Sequence, residues 1–296
     1  MIRVPEAFAR DTIAREGEEG RAWIATLPAL VEAQCSAWGL VLDGDVPMHG
    51  YLGIVVPVKR GDELCVLKIP WRDESTEHEY LALKTWNGNG AVRLLEHQTG
   101  ENFMLLERLD SQNPLLQLDL SLAVIEAGKL LRRLAVPASH LFPSLREHSL
   151  ELAQNLPKLW ELFARPIPKA WIEQACEVAS HRGTACASSL VNYDLHYENV
   201  LWGRQGEWLA VDPKVIAGDV EYGLGQLLWC RLEEMEASGG LDRYYSSFLD
   251  SAELDPELAR EWTIVRCVDY LLWGLSVGLT YDPARCRRIL EYLIPL

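Results

Sequence analysis

SLVNYDLHYENVLWGRQGEWLAVD, residues 189–212, gathers two aspartates and an asparagine into one short stretch. Asp194 is followed five residues later by Asn199, then by the apolar run Val200 to Trp202, a Gly203 to Gly206 turn, a second run Trp208 to Val211, and Asp212. Alternating apolar residues on either side of a glycine-bounded turn predict a β-hairpin. A rigid hairpin fixes the distance between the loop before it and the acid after it, so Asp194, Asn199 and Asp212 are expected to converge.

Two carboxylates and a carboxamide at one point suit a hard cation. Mg²⁺ takes a few oxygen ligands and completes its octahedron with water and phosphate oxygens. An Asp five residues before an Asn is also the spacing of the kinase catalytic loop, in which the Asp accepts a hydroxyl proton and the Asn holds metal. On that reading Asp194 is the catalytic base, and Asn199 and Asp212 are the metal ligands. The competing role for Asp194 is an Asx turn, since aspartate readily bonds nearby backbone. His196 reads as a packing or hydrogen-bonding residue, because no other His or Cys lies at ligand spacing.

Further stretches align with this loop in a fixed order: Leu67-Lys68, His78-Glu79 followed by LALKTW, GNGAVRLL, LLERL, DLHYENVL and VDPKVIAGDVEYGLGQLLW. Together they run from about Leu64 to Cys230, and their combination resembles the aminoglycoside phosphotransferases, in particular the streptomycin and hydroxyurea phosphotransferase group. The resemblance implies an α+β, bilobal protein-kinase-like fold, with a small mainly β N-terminal lobe and a larger mainly helical C-terminal lobe. It also implies ATP and Mg²⁺ as cofactors. Two positions depart from the pattern: Asn192-Tyr193 stands where His-Gly is expected before the catalytic Asp, and Gly223 stands where an acidic residue is common.

A chain of 296 residues, 49% hydrophobic and 24% charged, has ordinary globular composition and room for two lobes. No apolar run approaches the roughly 18 residues of a membrane span, and the N-terminus MIRVPEAFARD carries charge where a signal peptide would be apolar. A cytoplasmic protein is expected. The seven cysteines show neither CxxC nor zinc-site spacing and read as reduced thiols. A net charge of −15 would repel a nucleic-acid backbone and would favour a cationic small substrate, although acidity is also a solubility trait.

The segment Glu18 to Trp38 predicts a helix with a partial stripe of Trp23, Leu27, Leu30, Val31 and Gln34; Pro28 is a possible start, since Pro fits a first turn. From Val46 to Ile69, β-branched runs and a Gly61-Asp62 turn predict strands. His49 to Gly53 is the candidate phosphate-covering loop, because Gly50 and Gly53 would let backbone amides approach an anion. Absence of GxxxxGK[ST] argues against a P-loop enzyme. Lys68 lies in an apolar strand and must reach solvent or an anion; an edge-strand lysine and a phosphate-binding lysine are both compatible with that.

A helix over Asp73 to Trp86 would supply the partner of Lys68. Resemblance favours Glu79, with Glu77 as rival and a capping box with Thr76 as the other role for Glu79. GNGAVRLLEHQTGENFMLLERL predicts a turn, a strand, a polar turn and a strand, ending at a hinge from Glu107 to Asp110 where the resemblance places the adenine. Beyond it, Leu120, Val124, Ala127, Leu131 and Leu134 form a helical stripe. Residues 144–187 are expected to be helical with breaks at Pro157 and Pro166 and a start at Pro168, and Leu224 to Glu236 is expected to be one helix. Asp255-Pro256 and Asp282-Pro283 each read as an N-cap before a first-turn proline. Arg266 and Asp269 are expected to pair; Asp219 matches an acid of the resembled family and is read either as a brace of the catalytic loop or as a solvated turn carboxylate; a second role puts Asp269 with Glu221, Glu233 or Asp242 in an acidic pocket.

The expected organisation is a nucleotide-binding lobe over residues 1–107 and a catalytic and substrate-binding lobe over residues 108–296. The expected activity is transfer of the γ-phosphoryl group of ATP to a hydroxyl of a small molecule of the streptomycin type. The alternatives are a kinase of a host metabolite alcohol and a non-catalytic nucleotide-binding pseudokinase.

Overall fold

The computed structural model describes residues 2–98 and 100–294; Thr99, in the polar turn expected after Gln98, lies outside them. The chain divides into two compact units between Leu109 and Asp110. Among the described residues no helix is long and apolar enough to cross a membrane.

The first unit runs α1 (Glu6–Trp38), β1 (Val41–Leu42), β2 (Met48–His49), β3 (Gly53–Arg60), β4 (Glu63–Pro70), α2 (Glu79–Trp86), β5 (Leu94–Gln98) and β6 (Phe103–Glu107). Its sheet has the order β1-β3-β4-β6-β5, with β2 pairing β3, and is antiparallel throughout. Gly61, at φ +59°, turns β3 into β4 and sets the register that places Val55 opposite Lys68. Side chains alternate across a strand. Ile54, Val56 and Val58 therefore share one face with Cys65, Leu67 and Ile69, and these six pack with Leu27, Val31 and Cys35 of α1. Lys68 belongs to the opposite face.

Helix α1 starts twelve residues before the expected helix, at Glu6, and interrupts its helical geometry only at Gly17 (φ 63°, ψ −135°). Pro28 lies inside it and does not start it. An interior proline costs about 3 kcal/mol, whereas full burial of an aliphatic side chain stabilises by about 1.5–3 kcal/mol. Leu27 and Val31, on either side of Pro28, are both fully buried, so packing outweighs the break. The helix expected from Asp73 is shorter than predicted. The Asp73 carboxylate accepts from the backbone N and the hydroxyl of Ser75 at 2.8 and 2.5 Å. These local bonds close a 3₁₀ turn over Glu74–Thr76, and α2 begins at Glu79.

The second unit runs β7 (Asp110–Pro114), α3 (Leu120–Leu134), β8 (Val136–Pro137), α4 (Leu145–Leu162), α5 (Lys169–Ala185), β9 (Ser189–Asn192), β10 (Val200–Trp202), β11 (Trp208–Ala210) and β12 (Val215–Gly218). It continues through α6 (Leu224–Trp229), α7 (Leu232–Ala237), α8 (Leu241–Ala252), α9 (Pro256–Ser276) and α10 (Tyr281–Leu293). Two small antiparallel sheets, β11-β10-β7 and β12-β9-β8, are embedded among the helices. The expected hairpin forms, with Val200 opposite Ala210 and Trp202 opposite Trp208. All five residues of the α3 stripe are buried.

Several boundaries differ from expectation. Pro157, an expected break, is carried inside α4, whereas α5 starts as expected at Pro168, its N-cap residue. The helix expected over Leu224 to Glu236 is two helices, because Arg231 leaves helical geometry (φ −128°, ψ 28°). Its guanidinium turns inward, donating to the Leu118 carbonyl at 3.2 Å and standing 5.3 Å from the Tyr197 ring centre. Asp255 caps α9 as expected, accepting from the backbone N of Glu257 and Leu258 at 2.9 Å. Asp282 does not cap α10, whose N-cap residue is Thr280; its carboxylate instead meets Arg285 at 3.2 Å and the Tyr270 hydroxyl at 3.4 Å.

Candidate active site

In the first unit, β4 and the first residue of α2 bring Lys68 and Glu79 together. The Lys68 Nζ donates to Glu79 Oε1 at 2.6 Å and Oε2 at 2.7 Å, with side chains 8% and 1% exposed. A buried ammonium is tolerated only when paired. The rival Glu77 is exposed. No capping box forms either, since the Thr76 hydroxyl bonds the carbonyls of Asp73 and Trp71 at 2.9 and 3.3 Å.

Gly50 and Gly53 bound the tip between β2 and β3, where the Gly50 amide donates to the Gly53 carbonyl at 3.0 Å. A Cβ at Gly53 would lie 2.9 Å from the Ile69 carbonyl oxygen, so that glycine is demanded by the close approach of β4. Arg15 of α1, unmarked by any sequence pattern, donates to the Tyr51 carbonyl at 3.2 Å and lies 4.4 Å from the Tyr51 ring centre. It buttresses the tip. Glu107 ends β6, and its carboxylate accepts from the Arg93 amide at 2.8 Å. Next to it, Arg108 clamps the sheet, donating to Asp43, the Val58 carbonyl and the Cys65 carbonyl at 2.6, 2.6 and 3.1 Å. Hydrogen bonds from Lys59 and Arg108 hold the Asp43 carboxyl below its ordinary range.

In the second unit, the chain leaves β9 at Asn192 and passes Tyr193 and Asp194 into a 3₁₀ turn over Tyr197–Asn199, then enters β10. The segments on either side of the hairpin are held together at two points. The Tyr193 amide donates to the Lys214 carbonyl at 3.0 Å, and the Val211 amide to the Asn199 carbonyl at 2.8 Å. These bonds bring the 193–199 loop beside the 211–214 segment that contains Asp212. Asp212 has φ +52°, a left-handed conformation in which aspartate is among the more tolerated residues.

Asn192 and Tyr193, two of the three residues that depart from the expected pattern, stand at the root of this loop. Asn192 is fully buried, and its Oδ1 accepts from the Asp194 amide at 3.2 Å. The Tyr193 carbonyl accepts from Arg266 Nη2 at 3.1 Å, and the buried Arg266 guanidinium stands 5.2 Å from the Tyr193 ring, 5.0 Å from Tyr222 and 5.6 Å from Trp229. Arg266 thus seats Tyr193. Its expected partner Asp269 lies at 3.9 Å.

Sequence reasoning passed over Lys214. Its Nζ lies 3.4 Å from Asp194 Oδ2, with side chains 35% and 23% exposed. Burial pulls the ammonium pKa down, but Asp194, Tyr193 and Asp212 outweigh that and hold it above its ordinary value. Also unmarked were the groups whose fields meet Asp194. Burial, then Asp282 and Asp194, push the Cys230 thiol up to about 12. Burial, then Asp282, Cys230 and Asp194, raise the Tyr270 hydroxyl. Tyr270 stacks on Trp229 at 4.6 Å between ring centres and leans on Trp273 at 5.1 Å. Trp229, Tyr270 and Trp273, with the Asp282 carboxylate 3.4 Å from the Tyr270 hydroxyl, form one group whose Tyr270 feels the charge of Asp194. It comes from three helices distant in sequence, and no local spacing could have signalled it.

Acids considered for a pocket serve other bonds. Glu221 accepts from the Asp255 amide at 3.0 Å, Glu233 pairs with Arg285 at 2.7 Å, and Asp242 accepts from the Tyr292 hydroxyl at 2.8 Å. Asp219 accepts from the Ala187 amide at 2.7 Å and from Trp262 Nε1 at 2.9 Å, bracing the approach to β9 and helix α9. The described residues contain no cluster of three or more His, Cys, Asp or Glu able to hold a metal. An all-protein cage is therefore absent among them, whereas Asn199 and Asp212 offer the oxygen donors that suit Mg²⁺ when phosphate and water complete its shell.

A mainly β unit followed by a mainly helical unit is also the arrangement of solved kinase-like phosphotransferases. A thermostable mutant of aminoglycoside phosphotransferase APH(4)-Ia, in ternary complex with ADP and hygromycin B, superposes with a TM-score of 0.58 at 15% identity, covering 88% of this chain and 97% of that one. Choline kinase LicA from Streptococcus pneumoniae superposes at 0.57 and 14% identity, covering 90% and 99%. The fold is thus that of the protein-kinase-like small-molecule kinases. The chain belongs to the aminoglycoside/hydroxyurea antibiotic resistance kinase family, whose model matches residues 37–278. It is 35% identical to streptomycin 6-kinase of Streptomyces griseus over 94% of this chain and 93% of that one. It is 32% identical to hydroxyurea phosphotransferase of Kitasatospora aureofaciens over 99% and 86%.

Proposed function

We propose that this kinase transfers the γ-phosphoryl group of Mg²⁺-ATP to a hydroxyl of a cationic aminocyclitol antibiotic of the streptomycin type, in the cytoplasm. The observation that carries the substrate class is the 35% identity to a streptomycin 6-kinase over 94% of the chain. In this reading residues 1–107 bind the nucleotide, and residues 108–296 hold the acceptor and the catalytic groups. Lys68, fixed by Glu79, orients the α- and β-phosphates, the Gly50 to Gly53 tip covers them, and the backbone around Glu107 receives the adenine. Asn199 and Asp212 would hold Mg²⁺, which neutralises charge on the phosphates when bound. Asp194 positions the acceptor hydroxyl and takes its proton. Positioning and charge neutralisation supply most of the rate in such transfers. The net charge of −15 suits a guanidinium-bearing acceptor.

The test is Mg²⁺-ATP consumption by the purified protein with streptomycin, other aminocyclitols, hydroxyurea and simple amino alcohols, with Asp194→Asn as control. Streptomycin-dependent turnover, reduced on the order of 10²–10⁴ in the variant, is the expected result. Turnover with hydroxyurea or an amino alcohol alone would reassign the acceptor, and equal turnover in the variant would remove Asp194 from the mechanism.

A further inference from the structure

Lys214 begins the segment that pairs with β9: its carbonyl accepts the Tyr193 amide at 3.0 Å, and the next residue, Val215, stands opposite Asn192. This backbone pairing fixes the root of the side chain next to the 193–199 loop. Its ammonium stands 3.4 Å from Asp194 Oδ2 and within the field of Asp212. A cation thus sits against the base carboxylate and under the influence of a metal-holding one. Lys68 is the lysine of the first unit, where both oxygens of Glu79 hold its ammonium at 2.6 and 2.7 Å.

Phosphoryl transfer spreads negative charge over the three equatorial oxygens of the moving group, and cations aimed at those oxygens stabilise the transition state. A lysine suits this because it is a compact point charge with three donors on a flexible stem. Lys214 is one-third exposed at the side chain, so its head can leave Asp194 for an incoming anion.

We propose that Lys214 is a further catalytic residue, a cation parked on Asp194 that moves onto the oxygens of the γ-phosphoryl group and stabilises its transfer. The assignment rests on the kinase reading above. The bond from the acceptor oxygen to phosphorus forms as the bond from phosphorus to the departing ADP oxygen breaks, and the acceptor proton passes to Asp194. Lys214 stays protonated throughout and donates hydrogen bonds. Before nucleotide arrives, the same ammonium stands against Asp194 at 3.4 Å.

The experiment compares Lys214→Met and Lys214→Arg with wild type, measuring kcat, the acceptor KM, and the Kd of ATP and of ADP with Mg²⁺ in the absence of acceptor. Loss of a preorganised donor lowers kcat on the order of 10²–10³. Lys214→Met should show that loss with the acceptor KM nearly unchanged. It should bind ATP roughly tenfold more weakly, as expected for one charge-assisted contact, yet bind ADP like wild type, because ADP lacks the γ-phosphate. Lys214→Arg should restore part of both. Wild-type kcat in Lys214→Met, or equal weakening of ATP and ADP, overturns the proposal; equal weakening is the mark of a purely structural lysine. If wild type turns over no acceptor, the kinase reading fails in that assay, while the ATP-to-ADP affinity ratio still decides the role of Lys214.

Discussion

Gly223 lies so close to Asn192 that a Cβ on it would stand 3.1 Å from the Asn192 carbonyl oxygen, and 2.7 Å from Leu131 Cδ1. The glycine, at a position where the resemblance implies an acidic residue, is therefore matched to the packing around Asn192 and Leu131. Overpacking a core position costs about 1–3 kcal/mol, and a carboxylate there would add desolvation. Gly223→Asp should lower the melting temperature and kcat together. A variant as stable as wild type would show that the loop has room to move.

The Lys68–Glu79 pair separates stability from function. Removing one partner of a buried ion pair costs about 3–5 kcal/mol, while replacing both by apolar residues is often neutral. Glu79→Ala should thus be strongly destabilised in denaturant titration. Lys68→Met combined with Glu79→Leu should recover most of the stability but none of the activity. Activity in the double variant would dismiss the pair from nucleotide handling.

Asp219 accepts hydrogen bonds from Ala187 and Trp262 with one carboxylate. Each bond to a charged group contributes about 1.5–3 kcal/mol, so Asp219→Ala should lose on the order of 3 kcal/mol or more. The intrinsic fluorescence of Trp262 would report the local change, and an unaltered unfolding midpoint would contradict the bracing role.

Asp212→Ala should abolish the Mg²⁺ dependence of nucleotide binding. Titration of ATP affinity against Mg²⁺ reads this directly, and an unchanged titration would remove Asp212 from the metal site.

Hydrogen bonds from Arg285 foremost, helped by Arg288, hold the Glu233 carboxyl at about 2, against an ordinary 4.5. A folded-state pKa below the unfolded one stabilises the ionised form. The contribution is complete above about pH 4.5 and is lost as pH falls toward about 2. Because Glu233 is 39% exposed, solvent screening limits it to about 1 kcal/mol or less. The stability difference between wild type and Glu233→Gln should therefore shrink across that window and with added salt. A difference independent of pH would assign the effect to packing.

The elements most legible in the sequence were those whose cause is local. The 200–210 hairpin follows from alternation and its glycine turn, the α9 cap from Asp255-Pro256, and the α3 stripe from helical spacing. Local chemistry misled where long-range packing was stronger. Pro28 did not start α1, because Leu27 and Val31 are buried around it, and Arg231 split the 224–236 helix because its guanidinium turns toward Leu118 and Tyr197. At Asp73 the side chain closed its own turn and delayed α2 to Glu79.

By itself the sequence determined the order of motifs and which residue types could carry phosphoryl-transfer chemistry, because spacing along a strand or loop is a covalent constraint, and the resemblance carried by those motifs implied the two-part α+β class. Only the tertiary structure decided that Glu79 and not Glu77 holds Lys68, that Arg266 seats Tyr193, that Lys214 meets Asp194, and that Tyr270 meets Asp282. Those pairings set the charge and the orientation of the groups. They depend on burial and on which side chains distant in sequence share a low-dielectric space, and neither is encoded in local spacing.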